Sequence, residues 1–397
     1  MWTTLRKILM PKVFFVGIFA GLVACSAAGR YCAARNPFEN FRRFHRALSA
    51  ETCFYATVSQ MVAMIKEGLA EGKTVIVIGG NSIAEGRGQG KDLWTVDLQG
   101  RLGPTYRVLN LAQPGMPALT GPYVAFLSLA PKNRNLYYVA VTQPLYTNGP
   151  ETPWAGYSYW WDAYYKGLLP YFPHLSEAID ERIKIETSSQ RAEREECQLE
   201  EFLDSIFYFQ DLWSTIAYKS FFTVWTEFTA PTFLAPRKEY PDEDPPPIPI
   251  ETRFNAFNRD EELHEITRNF KFIFEFNQTT NNWQFSKRTL DWFKQSIANS
   301  VPDQLRSQVL MIDVRRNPLI MSRTVTEDEL SRSDKVSEKS KIIWEAAGVS
   351  AIYAGKDFQV NDYLDGCHLS PSGGAKLSAA VASKLADMQR SNSLRRF

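Results

Sequence analysis

The sequence lacks an excess of charge of either sign. Its 45 Lys and Arg residues face 44 Asp and Glu residues, which leaves a formal net charge of +1. Because a protein that binds mainly nucleic acid needs a basic surplus to neutralise phosphates, we expect no nucleic-acid partner. Apolar residues make up 44% of the chain and charged residues 22%, so we expect a large folded core rather than disorder.

Cysteine and histidine are both scarce. The five cysteines form no CxxC pair, and no Cys/His cluster has the spacing of a zinc site, so we expect no metal and no other cofactor. A histidine that acts as a general base must come from a small set. That set is His45, His174, His264 and His368. The first three lie in basic, aromatic or charged helical surroundings that favour structural roles, whereas His368 lies in a loop.

Three common motifs of nucleotide binding and hydrolysis are also missing. Residues 79–86 do not fit GxGxxG, which argues against a dinucleotide site. The segment 85–92 lacks the first glycine of a P-loop and has Asp92 where Ser or Thr is needed. Ala84 breaks GxSxG, which excludes the nucleophile elbow of the α/β-hydrolases.

The N-terminus has the pattern of a membrane-directed segment. Arg6, Lys7 and Lys12 precede the apolar run 13–28, which is short for a membrane span and is typical of a signal sequence. The preceding positive charge predicts that the rest of the chain lies outside the cytoplasm, on the periplasmic or cell-surface side. A retained anchor, a cleaved signal and a buried helix remain open. So does a lipoprotein, because residues 22–25 resemble a lipobox that would make Cys25 the lipidated first residue.

Strand-like and helix-like segments alternate in the first and last parts of the chain. Residues 74–78 are a continuous β-branched run, which is typical of a strand buried on both faces. This alternation predicts an α/β fold with a parallel sheet. Further strands are expected at 107–111, 136–142, 309–314 and 349–353, and helices at 93–102, 326–347 and 375–388.

The alternation stops near residue 150. The next 150 or so residues are rich in aromatic side chains, include a charged helical stretch at 177–205, and contain a proline-rich loop at 236–249. We interpret this region as a large, mostly helical insertion in the α/β domain. The predicted organisation is a leader at 1–28, an amphipathic helical linker at 29–72, the two halves of the domain at 73–150 and 305–388, the insertion at 151–304, and a polar tail at 389–397.

Two distant segments supply the residue types that acyl transfer needs. Ser82 follows the buried strand and the run Gly79-Gly80-Asn81, and could be a nucleophile or could merely cap a helix. Asp365 precedes His368 by three residues in a turn-rich loop. A hydroxyl, a base and a carboxylate that orients the base are the groups required for nucleophilic catalysis by serine.

These segments resemble the SGNH (GDSL-like) hydrolase superfamily over about half of the chain, 73–150 and 305–390. Gly80-Asn81-Ser82 resembles the family's Gly-Asp-Ser block, with Asn81 in place of the acidic residue. Residues 110–115 resemble the second block, a strand followed by a glycine. Asp365 and His368, with Leu369 and Gly373 after them, match the Asp-x-x-His block. The asparagine of the third block has no clear match.

The resemblance implies a three-layer α/β/α, flavodoxin-like domain with Ser82 as nucleophile, His368 as base and Asp365 as the orienting carboxylate. It further implies that an oxyanion hole stabilises the reacting carbonyl. Its donors would be the backbone N–H groups of Ser82 and Gly115 and a side-chain amide from Gln143 or Asn148.

The expected function is that of a membrane-tethered, extracytoplasmic serine esterase that cleaves carboxylic esters through an acyl-enzyme. The alternatives are an O-acyltransferase that moves an O-acetyl group onto an envelope polysaccharide, and a non-catalytic binding module. The expected partner is an acyl ester or an acylated glycan. Candidate substrate contacts are Asn81, Trp154, Trp160 and Trp161. Aromatic residues such as Phe209 and Trp213 could line an acyl pocket, touch the membrane or form the insertion's own core.

Overall fold

The computed structural model describes residues 2–35, 56–86, 89, 92–113, 116, 118–119, 121–142, 158–170, 184, 187–216, 274–287, 290–291, 301–319, 338, 341–342 and 344–394. The proline-rich loop predicted at 236–249 lies outside these residues, as do most of the helix predicted at 326–347 and residues 36–55 of the predicted linker.

The described part of the chain has seven strands. They are β1 (Thr74–Gly80), β2 (Tyr106–Asn110), β3 (Leu136–Thr142), β4 (Phe274–Asn277), β5 (Asn282–Phe285), β6 (Val309–Val314) and β7 (Ser350–Ala354). Five of them form one parallel sheet in the order β2-β1-β3-β6-β7, which confirms the predicted α/β class. The strands β4 and β5 pair as an antiparallel hairpin.

Eight α-helices accompany these strands in the same described residues. They are α1 (Trp2–Ala33), α2 (Val58–Ala70), α3 (Ser82–Glu85), α4 (Trp94–Leu102), α5 (Pro122–Leu129), α6 (Ser158–Tyr165), α7 (Ser188–Phe207) and α8 (Pro371–Leu394). A further helical run covers 209–216. Helix α8 is longer than predicted at both ends, since Pro371 is compatible with a first helical turn and the polar residues after 388 continue the helix.

Helices cover both faces of the parallel sheet. On one face α2 and α5 pack against side chains such as Val77 and Tyr138. On the other face α4 and α8 pack against side chains such as Ile76, Ile78 and Val139. Because successive side chains of a strand point to opposite faces, a strand buried on both faces needs an uninterrupted apolar run. This explains the β-branched run at 74–78. Each fully buried Ile in it contributes about 1.5–3 kcal/mol to the stability of the fold.

The carboxyl end of β1 requires glycine. Gly80 pairs with Val141 of β3 and has a φ of +128°, which side-chain-bearing residues rarely adopt. A Cβ on Gly80 would lie 2.1 Å from the carbonyl oxygen of Val141. The chain can therefore leave the sheet here only through a glycine, and it does so directly before Asn81 and Ser82.

A buried charge cluster joins the insertion to the sheet domain. The ammonium of Lys166 lies 2.7 Å from Asp162, 2.8 Å from Asp204 and 2.8 Å from Asp211. The Lys166 side chain is 1% exposed. Asp211 also accepts a hydrogen bond from the hydroxyl of Thr57, which caps α2. Helix α6, helix α7 and the run 209–216 are thus tied to α2, which packs on the sheet.

The insertion is helical in much of its described part, but not throughout. The hairpin β4–β5 was not predicted. Its sequence signal is a turn rich in Asn and Thr between two strands with alternating aromatic residues. In that turn the side chain of Asn277 accepts hydrogen bonds from the N–H groups of Thr279 and Thr280, and Asn281 has a φ of +50°.

Helix α1 is continuous through Pro11, and its segment Lys12–Ala33 is long and apolar enough to cross a membrane. The apolar run predicted at 13–28 lies within this segment, which extends it to Ala33. At 1.5 Å per residue its 22 residues extend about 33 Å, close to the roughly 30 Å of a bilayer's hydrocarbon core. Such a helix could be a membrane anchor or a signal sequence.

The charge cluster makes a stability prediction. Replacing Lys166 by Met leaves several buried carboxylates without their cation, so we expect a loss of about 3–5 kcal/mol in the free energy of unfolding. Urea unfolding of the detergent-solubilised full chain, followed by circular dichroism, measures this loss. The deficit should shrink at lower pH, because protonated carboxyl groups no longer repel one another.

The matched control is Lys356→Met. Lys356 also forms an ion pair, with Glu338, but its side chain is 58% exposed. We expect its replacement to cost only about 0–1 kcal/mol. Equal losses in the two variants would contradict a stabilising role for the buried cluster.

Candidate active site

Ser82 is the first residue of α3, at the carboxyl edge of the sheet. The side chain of Asn81 caps this short helix by accepting a hydrogen bond from the Ile83 N–H at 3.0 Å. The alternative in which Ser82 is the capping residue is therefore wrong. Because Asn81 takes that role, the hydroxyl of Ser82 is available for another partner.

That partner is His368. The Oγ of Ser82 lies 2.7 Å from Nε2 of His368, and Nδ1 of His368 lies 2.6 Å from Oδ2 of Asp365. These distances fit a ring that carries its hydrogen on Nδ1, donates it to the carboxylate, and accepts the hydroxyl hydrogen of Ser82 at Nε2. The fold thus brings together the three predicted residues, although Ser82 precedes His368 by 286 positions along the chain.

The two oxygens of Asp365 have separate tasks. While Oδ2 orients the histidine ring, Oδ1 accepts hydrogen bonds from the N–H groups of Cys367 at 2.8 Å and His368 at 2.7 Å. One carboxylate therefore shapes the backbone of its own loop and holds the ring that the loop carries. This explains why the spacing of three residues matters.

Asn317 and Gln89 bind backbone carbonyls of this loop, and neither was predicted to do so. Asn317, fully buried just after β6, donates from its backbone N–H to Gly366 and from its side chain to the carbonyl of Asp365, both at 3.0 Å. Gln89 donates to the carbonyl of Leu369 at 3.2 Å. The available signal for Asn317 was its place three residues after the end of a buried strand.

Gly373 explains another part of the motif. A Cβ at this position would lie 2.1 Å from the carbonyl oxygen of Asp362. Helix α8 can therefore start close to the loop only because residue 373 has no side chain.

The electrostatics of the site favour a charged carboxylate. Burial alone would raise the pKa of Asp365, but the hydrogen bonds from His368 and from the N–H groups of Cys367 and His368 outweigh it and lower the pKa to about 2. For His368, burial opposes the imidazolium, yet the neighbouring Cys367 thiol and the Asp365 carboxylate raise its pKa above the ordinary 6.5.

The site is partly open to solvent. The side chains of His368 and Asp365 are 17% and 18% exposed, and Ser82 is half-buried. The three side chains are therefore accessible to solvent in part while the histidine–aspartate pair stays formed.

Segments on either side of the sheet support this edge. The side chain of Asn110, at the end of β2, donates to the carbonyls of Ala84 and Glu85 and so holds α3 in place. Gln113 donates its backbone N–H to the carbonyl of Gly80 at 3.0 Å and accepts a hydrogen bond from the hydroxyl of Tyr159. Through Tyr159 of α6, the insertion contacts the loop that faces Gly80.

The other predicted site residues have mixed outcomes. Trp160 is only 6% exposed and packs in the core, which corrects its prediction as a substrate contact. Trp161 lies beside it and makes an edge contact with Tyr164. Cys25 lies half-buried in α1. The remaining predictions, which lie outside the described residues, are Gly115, Gln143, Asn148 and Trp154.

Two groups of described side chains have the chemistry of metal ligands. In each group the ligand-type atoms lie within 4.8 Å of one another. The first is Asp365 with Cys367 and His368, in which Asp365 is bonded to His368 and His368 is bonded to Ser82. The second is Asp162 with Glu201 and Asp204, where the ammonium of Lys166 already supplies the cation.

The fold and the site together define an α/β protein with a Ser–His–Asp arrangement at the carboxyl edge of a parallel sheet. No protein-family model matches the chain, and no curated protein matches it. Any assignment of function must therefore come from the residues and their geometry.

The site makes a prediction about the ionisation of His368. Replacing Asp365 by Asn removes the negative partner, so we expect the pKa of His368 to fall by about 1–3 pH units. Replacing Cys367 by Ala should lower it as well. NMR titration of the imidazole signals, with His368→Gln to assign them, measures both effects.

Asp303→Asn is the matched control, because Asp303 lies before β6, pairs with Arg306 and is 80% exposed, so its replacement should leave the pKa of His368 unchanged. If the pKa of His368 stays the same in Asp365→Asn, the carboxylate does not hold the ring in solution.

Proposed function

We propose that this protein is an SGNH-like serine hydrolase that cleaves carboxylic esters through an acyl-enzyme. The observation that carries the proposal is the pair of contacts at His368, 2.7 Å to Oγ of Ser82 and 2.6 Å to Oδ2 of Asp365. A hydroxyl, an imidazole and a carboxylate in this relation form the arrangement by which serine enzymes activate their nucleophile.

The topology supports the same proposal. Counted along the chain within the parallel sheet, the strand order is 2-1-3-4-5, which is the flavodoxin-like order. In such sheets ligands bind beyond the carboxyl ends of the strands, where the strand order reverses. Ser82 follows β1 at this point, and helices on both faces fit a three-layer α/β/α domain.

The proposed reaction has two halves. In the first, Oγ of Ser82 attacks the ester carbonyl while Nε2 of His368 takes the hydroxyl proton. The bond to the alcohol oxygen then breaks, and His368 returns the proton to the leaving alcohol. In the second half, water attacks the acyl-serine, His368 takes a proton from this water and gives it to Ser82, and the carboxylic acid departs. Asp365 stays ionised throughout.

The negative charge that develops on the carbonyl oxygen needs donors. The backbone N–H of Ser82, at the start of α3, is the proposed donor from the described residues. Gly115 and a side-chain amide of Gln143 or Asn148 complete the predicted set. Removing one such donor typically lowers the rate by about 10²–10³-fold.

The charge state of His368 sets the pH range. The ring can take a proton from Ser82 only in its neutral form, and its pKa is raised above 6.5. Activity should therefore rise with pH and reach its plateau above the pH at which an unperturbed histidine would be deprotonated.

The proposed location is the extracytoplasmic face of a membrane. Helix α1 could anchor the chain, and Arg6, Lys7 and Lys12 precede its apolar part. By the positive-inside rule these residues stay in the cytoplasm, so the α/β domain is on the other side. Its proposed substrate is an acyl ester or an acylated glycan.

The test is covalent labelling of Ser82. A fluorophosphonate probe should label the wild-type full chain and not Ser82→Ala, and hydrolysis of a p-nitrophenyl ester should fall by at least about 10³-fold in this variant. His368→Ala should lose labelling as well, because the hydroxyl is no longer activated.

Ser128→Ala is the matched control, since Ser128 is a half-buried serine whose hydroxyl donates to the carbonyl of Val124 in its own helix α5. Labelling of wild type and Ser82→Ala to the same extent, or of neither, would overturn the catalytic proposal in favour of a binding module. Adding a polysaccharide acceptor to the ester assay distinguishes hydrolysis from acyl transfer.

A further inference from the structure

Helix α7 and the run 209–216 bury three carboxylates and expose a set of large apolar side chains. Glu201, Asp204 and Asp211 face inward and are no more than 5% exposed. The other glutamates of α7, at 193, 195, 196 and 200, are exposed. Seven large apolar residues of these helices are 42–70% exposed. We call these residues the outer face: Leu199, Phe202, Leu203, Ile206, Phe209, Trp213 and Ile216.

The spacing of the outer face shows that it is not a scatter of single residues. Within α7 these residues stand at 199, 202, 203 and 206, and within 209–216 at 209, 213 and 216. Residues three or four positions apart lie on the same side of a helix, so each helix carries one apolar stripe. In a protein surrounded by water on this side, burial would favour the opposite arrangement, with apolar side chains inward and carboxylates outward. A contiguous apolar surface of this kind indicates an apolar partner.

Helix α1 indicates what that partner is. The hydroxyl of Ser26 donates to the carbonyl of Ile206 at 2.9 Å. Gly29 approaches Tyr208 so closely that a Cβ on it would lie 2.3 Å from the Tyr208 carbonyl oxygen. The outer face therefore continues from the C-terminal third of the segment Lys12–Ala33, which is able to cross a membrane.

The residues around this junction are those found at the edge of a bilayer. The guanidinium of Arg30 lies 5.2 Å from the centre of the Tyr208 ring, and Trp213 is 70% exposed nearby in the chain. Tyr, Trp and Arg collect at the level of the lipid headgroups, where an apolar ring and a polar group are both satisfied. Ile206, bonded to Ser26, lies between this level and the apolar part of α1.

We propose that the outer face of α7 and 209–216 lies in the surface of the lipid bilayer that α1 enters. The inference rests on the insertion of α1 in a membrane and is independent of the esterase activity. Lipid chains would cover the apolar side chains, while Lys166 neutralises the carboxylates on the inner side of the same helices.

The experiment places a photoreactive benzoylphenylalanine at residue 203 or 213 of the full-length chain. The protein is reconstituted in vesicles of phosphatidylcholine and phosphatidylglycerol and irradiated, and adducts are identified by mass spectrometry. We expect phospholipid adducts at both positions.

Two further positions serve as controls. Val16, 65% exposed on α1, should also give lipid adducts. Ile342 is a matched negative control, because it is an apolar residue with 62% exposure that lies near β7 rather than near α1. No lipid adducts should form at residue 342.

Several results would overturn the proposal. Lipid adducts at 16 but not at 203 and 213 would mean that the outer face does not touch lipid. Crosslinks from 203 and 213 to a second copy, or to another segment of the chain, would mean that protein covers it. Equal lipid adducts at 342 would make the contact unspecific, and no adducts at 16 would remove the membrane insertion on which the inference rests.

Discussion

The parallel pairing of β1 with β3 is the interaction on which the fold and the candidate site both depend. It places the end of β1 between two neighbouring strands, where the backbone of Val141 leaves space only for a glycine at residue 80. Because parallel strands all end at one edge, the segments after β1, β6 and β7 meet there. Ser82, Asn317 and the loop with His368 come from these three segments, so the sheet performs the assembly and the loops need only short-range bonds.

Those short-range bonds give the site its rigidity. Asp365 is held by its contacts with His368 and the loop backbone. Asn317 and Gln89 bind the carbonyls of Asp365 and Leu369, which lie on either side of His368. Each neutral hydrogen bond contributes only about 0.5–1.5 kcal/mol to stability, and those to the charged Asp365 about 1.5–3 kcal/mol. Their larger effect is geometric, because the ring of His368 is oriented before any substrate arrives.

The sequence predicted local features well and non-local ones poorly. The β-branched run at 74–78 and the apolar segments at 136–142 and 309–314 could be read as strands because a strand buried on both faces has a simple composition. The pairing of Asp365 with His368 could be predicted from their spacing because both lie in one loop. The cluster around Lys166 could not be found in this way, since Asp204 and Asp211 lie 38 and 45 residues from Lys166 along the chain. Trp160 was misjudged because an aromatic run does not reveal which of its members faces the core.

The insertion links the bilayer proposed above to the candidate active site. Helix α6 holds Lys166 through Asp162, and Lys166 binds Asp204 and Asp211 on the inner side of the helices that carry the outer face. The same α6 reaches the carboxyl edge of the sheet, where Tyr159 bonds to Gln113. Because each of these contacts is buried or half-buried, α6 acts as a fixed spacer. A bilayer in contact with the outer face would thereby set the height and orientation of Ser82 above the membrane.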